Sequence, residues 1–229
     1  MKEKNFISIY DNALTSEECK FIRDYHDGDD KLLSIREEGK TLGDTVQKHW
    51  KDSHDRYMAM YIEGAYQNNG INNIIANSIK KHIEKYKEEN PELNLLDKWS
   101  IRDNYNLQKY NPGGGYHILH CENYNTGKHR TNILAWMYYL NTVREGGGTY
   151  FSNFDLTVNA EEGRLVIWPA YWTHFHKGVV SKTYDKYIAT GWFCLDNSSL
   201  YPKELERAKL LDEKEKNIPK PITPLDLNK

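Results

Sequence analysis

Cysteine is scarce in this chain, and the little there is does not pair by spacing. Cys19, Cys121 and Cys194 are odd in number, far apart and never in a CxxC. That usage argues against a disulfide framework and suits reduced thiols in a cytoplasmic compartment. Long apolar runs are missing as well: the opening MKEKNFISIYDNALTSEE has a basic tip but no stretch of signal-peptide length, and no later segment reaches membrane-spanning length. The expectation is a cytoplasmic protein with no membrane partner. Charge of one sign is absent too, since 31 basic and 33 acidic residues give a formal charge of −2. No overall field draws in a polyanion, so nucleic acid is not an expected partner. Internal repeats are absent. Hydrophobic residues make up only 38%, yet the 6 tryptophans and 17 tyrosines are plentiful, which predicts a core leaning on aromatics beneath a well-hydrated surface.

With 229 residues the chain can bury one sizeable core but not two comfortable ones. NFISIYDNAL alternates as an edge strand does, and TSEECKFIRDYHD opens a helix with a capping-box spacing from Thr15 to Glu18. Residues 27–56 are charged and turn-rich, in the manner of a flap or surface connection. From Arg56 to Lys87 apolar positions at helical spacing, broken by the NNG at 68–70, predict two helices. From Trp99 the period becomes two, in WSIRDNYNLQKY, HRTNILAWMYYLN, DLTVNA, RLVIWP, WTHFHKGVV and KYIATGWFCL. The expected fold is mainly β with N-terminal helices (α+β), a double-stranded β-helix or jelly roll with the helices packed on one sheet. The expected layout is one domain over 1–196, with a helical part at 1–97 and a jelly-roll core at 98–196. A polar tail, 197–229, follows, in which KELERAKLLDEKEK predicts a short exposed helix.

Two histidine clusters lie on the strand-like half. In YHILHCEN, His120 and Glu122 are two residues apart, so on a strand both would leave one face. WTHFHKG supplies His176, 56 residues after His120, and completes a two-histidine, one-carboxylate set that leaves positions open for ligand and dioxygen. Such a set favours non-haem Fe(II), with Zn²⁺ on His117, His120 and His176 as the competing reading. An HxE pair by itself is mostly a solvated strand face. The GGG runs at 113–115 and 146–148 read as turns, since no helix start follows to hold a phosphate.

The order of motifs resembles the Fe(II)- and 2-oxoglutarate-dependent dioxygenases of the prolyl 4-hydroxylase-like family. The residues carrying the resemblance are Tyr110, Gly113 to Gly115, His120, Tyr139-Leu140-Asn141, Gly147-Gly148-Thr149-Tyr150-Phe151, Gly163-Arg164-Leu165, Pro169, His176, Lys186 and Trp192. Glu122 departs from the pattern, which usually has aspartate there. A carboxylate at this position still resembles a hydroxylase, because halogenating relatives replace it with a small residue. His174 and His176 would face the same way on a strand; Lys186 lies ten residues after His176, the family interval, which selects His176 as ligand.

The resemblance implies metal binding by His120, Glu122 and His176, and binding of the far carboxylate of 2-oxoglutarate by Lys186 and Tyr110. It also implies ascorbate as reductant, dioxygen as co-substrate, and release of succinate and carbon dioxide. The implied partner is a peptide or protein containing proline. A free amino acid or other small molecule is the alternative substrate, and a catalytically silent jelly-roll binding module the non-enzyme alternative. A nucleic-acid demethylase is disfavoured by the charge balance and by lysine at position 186. His174 reads as a residue behind the metal site or on the surface, Arg164 as a turn contact, Trp192 as core packing, and Arg130 as either a substrate contact or a surface charge.

Overall fold

The computed structural model describes residues 4–28, 36–41, 45–60, 70–124 and 127–196. The expected helix and tail after residue 196 lie outside these, as do parts of the expected flap. Met1–Leu195 clusters as one compact unit.

In chain order come β1 (Ser8–Tyr10), α1 (Ser16–Asp27), β2 (Arg36–Glu38), β3 (Lys51–Asp52), β4 (His54–Ala59) and α2 (Ile71–Glu89). The second half is β5 (Trp99–Ile101), β6 (Asn104–Tyr110), β7 (Gly115–Tyr116), β8 (Asn132–Tyr139), β9 (Thr149–Phe151), β10 (Leu156–Val158), β11 (Leu165–Pro169), β12 (His176–Gly178) and β13 (Lys186–Leu195). The large sheet runs β1-β11-β8-β13-β6-β4-β2, with β5 on the far end of β13. A smaller sheet runs β10-β9-β12, and β3 pairs with β7. This is the expected jelly roll.

Strand alternation divides the core in two. On one face of the large sheet Leu134, Trp136 and Tyr138 of β8, Leu165 and Ile167 of β11, and Ala189 and Phe193 of β13 meet the helices. There α2 contributes Ile71, Ile75, Ile79 and Ile83, one per turn, and α1 contributes Cys19 and Ile22. Each buried isoleucine stabilises the layer by about 1.5–3 kcal/mol. The intervening residues Ala135, Met137 and Tyr139, Val166 and Trp168, Tyr110 and Ile188 face the other way, against Phe151 and Val158 of the small sheet. The site lies on this inner face.

Thr15 caps α1 with the predicted reciprocal bonds: its side chain accepts from Glu18 N–H, and Glu18 accepts from Thr15 N–H. Glycine is required at 191, where a Cβ would lie 2.4 Å from the Trp136 ring. Gly146 and Gly147 take φ of +71° and +72°, as the turn reading of that GGG requires.

Two expectations are corrected. The start of the helix expected from Arg56 is strand β4, paired with β6, and its continuation over 61–69 lies outside the described residues; Met58 and Met60, two apart, enter the same core, which is the period of a strand. Among the described residues the α-helices of the N-terminal part are α1 and α2, with β1 to β4 around them and a 3-10 turn at Pro91–Leu95 after α2. The strand expected over WTHFHKGVV shrinks to β12, because Trp172–His174 forms a 3-10 turn closed by His174 N–H on the Tyr171 carbonyl.

Candidate active site

His120 and His176 meet as an isolated antiparallel bridge, each N–H donating to the other's carbonyl at 3.0 and 2.8 Å. Their rings lie 4.3 Å apart. Glu122 arrives by a bend, and not along a strand as the HxE spacing suggests. Its N–H and that of Asn123 both donate to the Ala170 carbonyl at 2.9 Å, just past β11, and its own carbonyl accepts from Asn132 at 2.8 Å. These staples turn the carboxylate toward the two rings. Glu122 Oε1 lies 3.5 Å from His120 Nε2 and 3.3 Å from His176 Nε2. Among the described residues, this is the group of histidine, cysteine and acidic side chains close enough to share one ion, with all ligand atoms within 4.8 Å. His117, required by the zinc reading, is not in it.

The donor set fits a cation. His120 Nδ1 faces the Ile118 carbonyl and His176 Nδ1 faces the His174 carbonyl, each at 2.9 Å. A carbonyl only accepts, so both Nδ1 atoms carry protons. Burial, then the neighbouring His120, lower the His176 pKa below the ordinary imidazole value, which keeps its ring neutral and its Nε2 a bare lone pair. A neutral imidazole lone pair and a carboxylate oxygen thus face each other across 3.3 Å. A divalent metal between them removes that conflict.

His174 is separated from His176 by its surroundings. Its Nε2 contacts the Asn5 carbonyl at 2.8 Å and its Nδ1 the Thr173 hydroxyl at 2.9 Å, so both nitrogens are engaged away from Glu122. Trp192, expected only as packing, also donates its indole N–H to Glu122 Oε2 at 2.8 Å. Tyr116 stacks on His120, with centroids 3.8 Å apart and planes at 20°. No sequence interval signalled either contact, because the bend at Glu122 creates the first and the short β3–β7 pairing the second. Arg164 does make a turn contact, to Asp11 at 2.6 Å and the Asn159 carbonyl at 2.9 Å.

Lys186 opens β13 directly opposite Tyr110 of β6, so both side chains leave the inner face together. Lys186 is 8% exposed, and its Nζ sits 5.6 Å from the Tyr110 ring centre and 5.3 Å from that of Tyr139. Among the described residues its hydrogen bond is a long one, 3.5 Å to the Gly148 carbonyl. Burial without a carboxylate lowers its pKa to about 7. Tyr110 is buried and its hydroxyl donates to Gln108 Oε1 at 2.7 Å. Tyr139, read in sequence only as part of YLN, joins this cluster and donates to Thr149 at 2.7 Å.

Residues 105–194 match the family described as the 2OG-Fe(II) oxygenase superfamily. That stretch holds His120, Glu122, His176 and Lys186, and members of that superfamily use Fe(II) and 2-oxoglutarate. No curated protein sequence matches it. A viral collagen prolyl hydroxylase from Paramecium Bursaria Chlorella virus-1, solved with 2OG, is similar at 18% identity and TM-score 0.60, covering 83% of this chain and 97% of its own. A Trichoplax adhaerens prolyl hydroxylase, solved with a hypoxia inducible factor peptide fragment, is similar at 14% identity and TM-score 0.63, covering 91% and 87%. A Pseudomonas putida prolyl-4-hydroxylase is similar at 14% identity and TM-score 0.57, covering 83% and 94%. At these identities the likeness establishes a shared fold, that of the prolyl 4-hydroxylase-like oxygenases.

Proposed function

We propose that the chain is a hydroxylase of prolyl residues in a peptide or protein, using Fe(II), 2-oxoglutarate and dioxygen, with ascorbate maintaining the reduced metal and the cytoplasm as its compartment. The observation that carries the reading is the pairing, on one inner face, of three converging metal-ligand atoms with a buried lysine that meets no carboxylate among the described residues. His120, Glu122 and His176 would hold the metal, and Lys186 with Tyr110 the far carboxylate of 2-oxoglutarate. When bound, these groups supply the oxidation, in which dioxygen and 2-oxoglutarate yield succinate and carbon dioxide and one oxygen atom enters a substrate C–H bond.

The chain's own residues bind and orient. Trp192 fixes the Glu122 oxygen that does not face the imidazoles, and the Ile118 and His174 carbonyls fix the ring tautomers. The Tyr110 and Tyr139 rings flank the buried Lys186, which strengthens its attraction for a carboxylate and keeps water away.

Exposed apolar side chains flank the ligands and support an apolar substrate residue. Ile118 and Leu119 immediately precede His120; Trp50 is held beside them by its carbonyl on His117 N–H; Tyr171 and Trp172 follow the Ala170 that anchors Glu122. Proline in an extended chain suits such a rim, and the structural neighbours act on proline by name. The test is succinate release with Fe(II) and 2-oxoglutarate against proline peptides and free amino acids, with mass spectrometry of the products. A gain of one oxygen on a peptidyl proline is expected. Oxidation of a free amino acid with no peptide oxidised would replace this reading with the small-molecule one.

A further inference from the structure

We infer that Gln108 competes with the co-substrate for the proton of the Tyr110 hydroxyl, and that Asp55 holds Gln108 in the competing orientation. The inference rests on the reading above that the far carboxylate of 2-oxoglutarate lies between Lys186 and Tyr110.

Asp55 of β4 stands opposite Gln108 of β6, and Tyr110 is two residues further along the same strand face, opposite Lys186. Asp55 is wholly buried, and both its oxygens accept: Oδ2 from Lys51 Nζ, Oδ1 from the Ser53 hydroxyl at 2.8 Å. A carboxylate offers no donor, so the Gln108 atom facing Asp55 at 3.3 Å is the amide nitrogen. The opposite assignment would set two acceptors against each other. Gln108 Oε1 must then face Tyr110, and an amide oxygen only accepts, so at 2.7 Å the tyrosine is the donor. A hydroxyl has one proton. What remains for the pocket is lone-pair density, which does not favour a carboxylate.

To bind the co-substrate with its full donor set, Tyr110 must withdraw its proton from Gln108 and leave a buried amide oxygen without a donor. That loss is set against binding. The chain Lys51–Asp55–Gln108–Tyr110 therefore raises the 2-oxoglutarate concentration at which the site fills, and Asp55 and Gln108 act as positioning residues without touching the ligand.

The test is equilibrium binding, read from the visible Fe(II)–2-oxoglutarate absorption under anaerobic conditions. Wild type, Gln108→Leu, Tyr110→Phe and the double variant are titrated with 2-oxoglutarate, and thermal unfolding is recorded for each. Gln108→Leu should lower the half-saturating concentration about fivefold, the equivalent of one net hydrogen bond. Adding Tyr110→Phe should abolish that gain, an effect no general loosening of the core would produce. If the leucine variant does not fold, Gln108→Met carries the same expectation. Unchanged or weaker binding, or a gain that survives in the double variant, overturns the inference. Absence of the absorption in wild type overturns the functional reading beneath it.

Discussion

The two neighbouring histidines of THFH differ in what their ring nitrogens touch. Both nitrogens of His174 are engaged, by Asn5 and Thr173, whereas His176 Nε2 faces Glu122. Exchanging His176 for alanine should abolish ferrous binding, measured by anaerobic calorimetry, while His174→Ala should keep most of it and lose thermal stability. Sequence could select His176 only through the family positions of Lys186 and Gly178; the contact that occupies His174 Nε2 comes from Asn5, 169 residues away, which no local pattern carries. Lys186 entered the reading through its ten-residue interval from His176, and the structure sets it opposite Tyr110 on the inner face.

The Lys186 pKa, lowered to about 7 by burial, gives a signed pH dependence. Between about pH 7 and the ordinary lysine value the unfolded chain holds a proton that the folded chain does not, so without co-substrate this group makes stability rise with pH over that interval. Binding of 2-oxoglutarate requires the charged form and should weaken as pH rises above about 7, with proton uptake seen by calorimetry in two buffers. Lys186→Met should remove the uptake. Lys186→Ala should raise the 2-oxoglutarate requirement by the equivalent of roughly 3–5 kcal/mol, the cost of leaving one buried partner unpaired, while iron still binds.

Strands and helices were legible where one period persisted. The isoleucines of α2 recur every four residues and the capping box names its own start, so both were readable without tertiary context. Thr15→Ala should cost about 1 kcal/mol in chemical denaturation. β4 was misread because its buried residues include Asp55 and Arg56, polar positions satisfied only by partners elsewhere: Lys51, Ser53 and Gln108 for the first, the His26 and Gly28 carbonyls for the second. Within β13, Gly191 leaves room for Trp136 to cross it. Gly191→Ala should therefore destabilise by about 1–3 kcal/mol through overpacking, seen as a lower denaturation midpoint with unchanged slope.

The molecule as a whole places helices on one face of the large sheet and the candidate chemistry on the other. The order of motifs from Tyr110 to Trp192 made that arrangement readable, because jelly-roll strands carry site residues at set places on their inner faces. The supporting contacts, from Trp192 to Glu122, Tyr116 to His120 and Gln108 to Tyr110, were not readable, since each joins segments through side chains whose partners only the packed sheets bring near. Among the described residues no helix is long and apolar enough to cross a membrane.

The central claim is one metal centre, made by His120, Glu122 and His176, served by a carboxylate site at Lys186. It is tested most directly by adding Fe(II) and then 2-oxoglutarate to the anaerobic protein and recording the visible absorption of their complex. The account predicts an absorption that saturates at one metal per chain, disappears in the alanine variants of His120, Glu122 and His176, and in Lys186→Ala needs far more 2-oxoglutarate to develop. An absorption that persists without His176, or that fills equally well without Lys186, would contradict it.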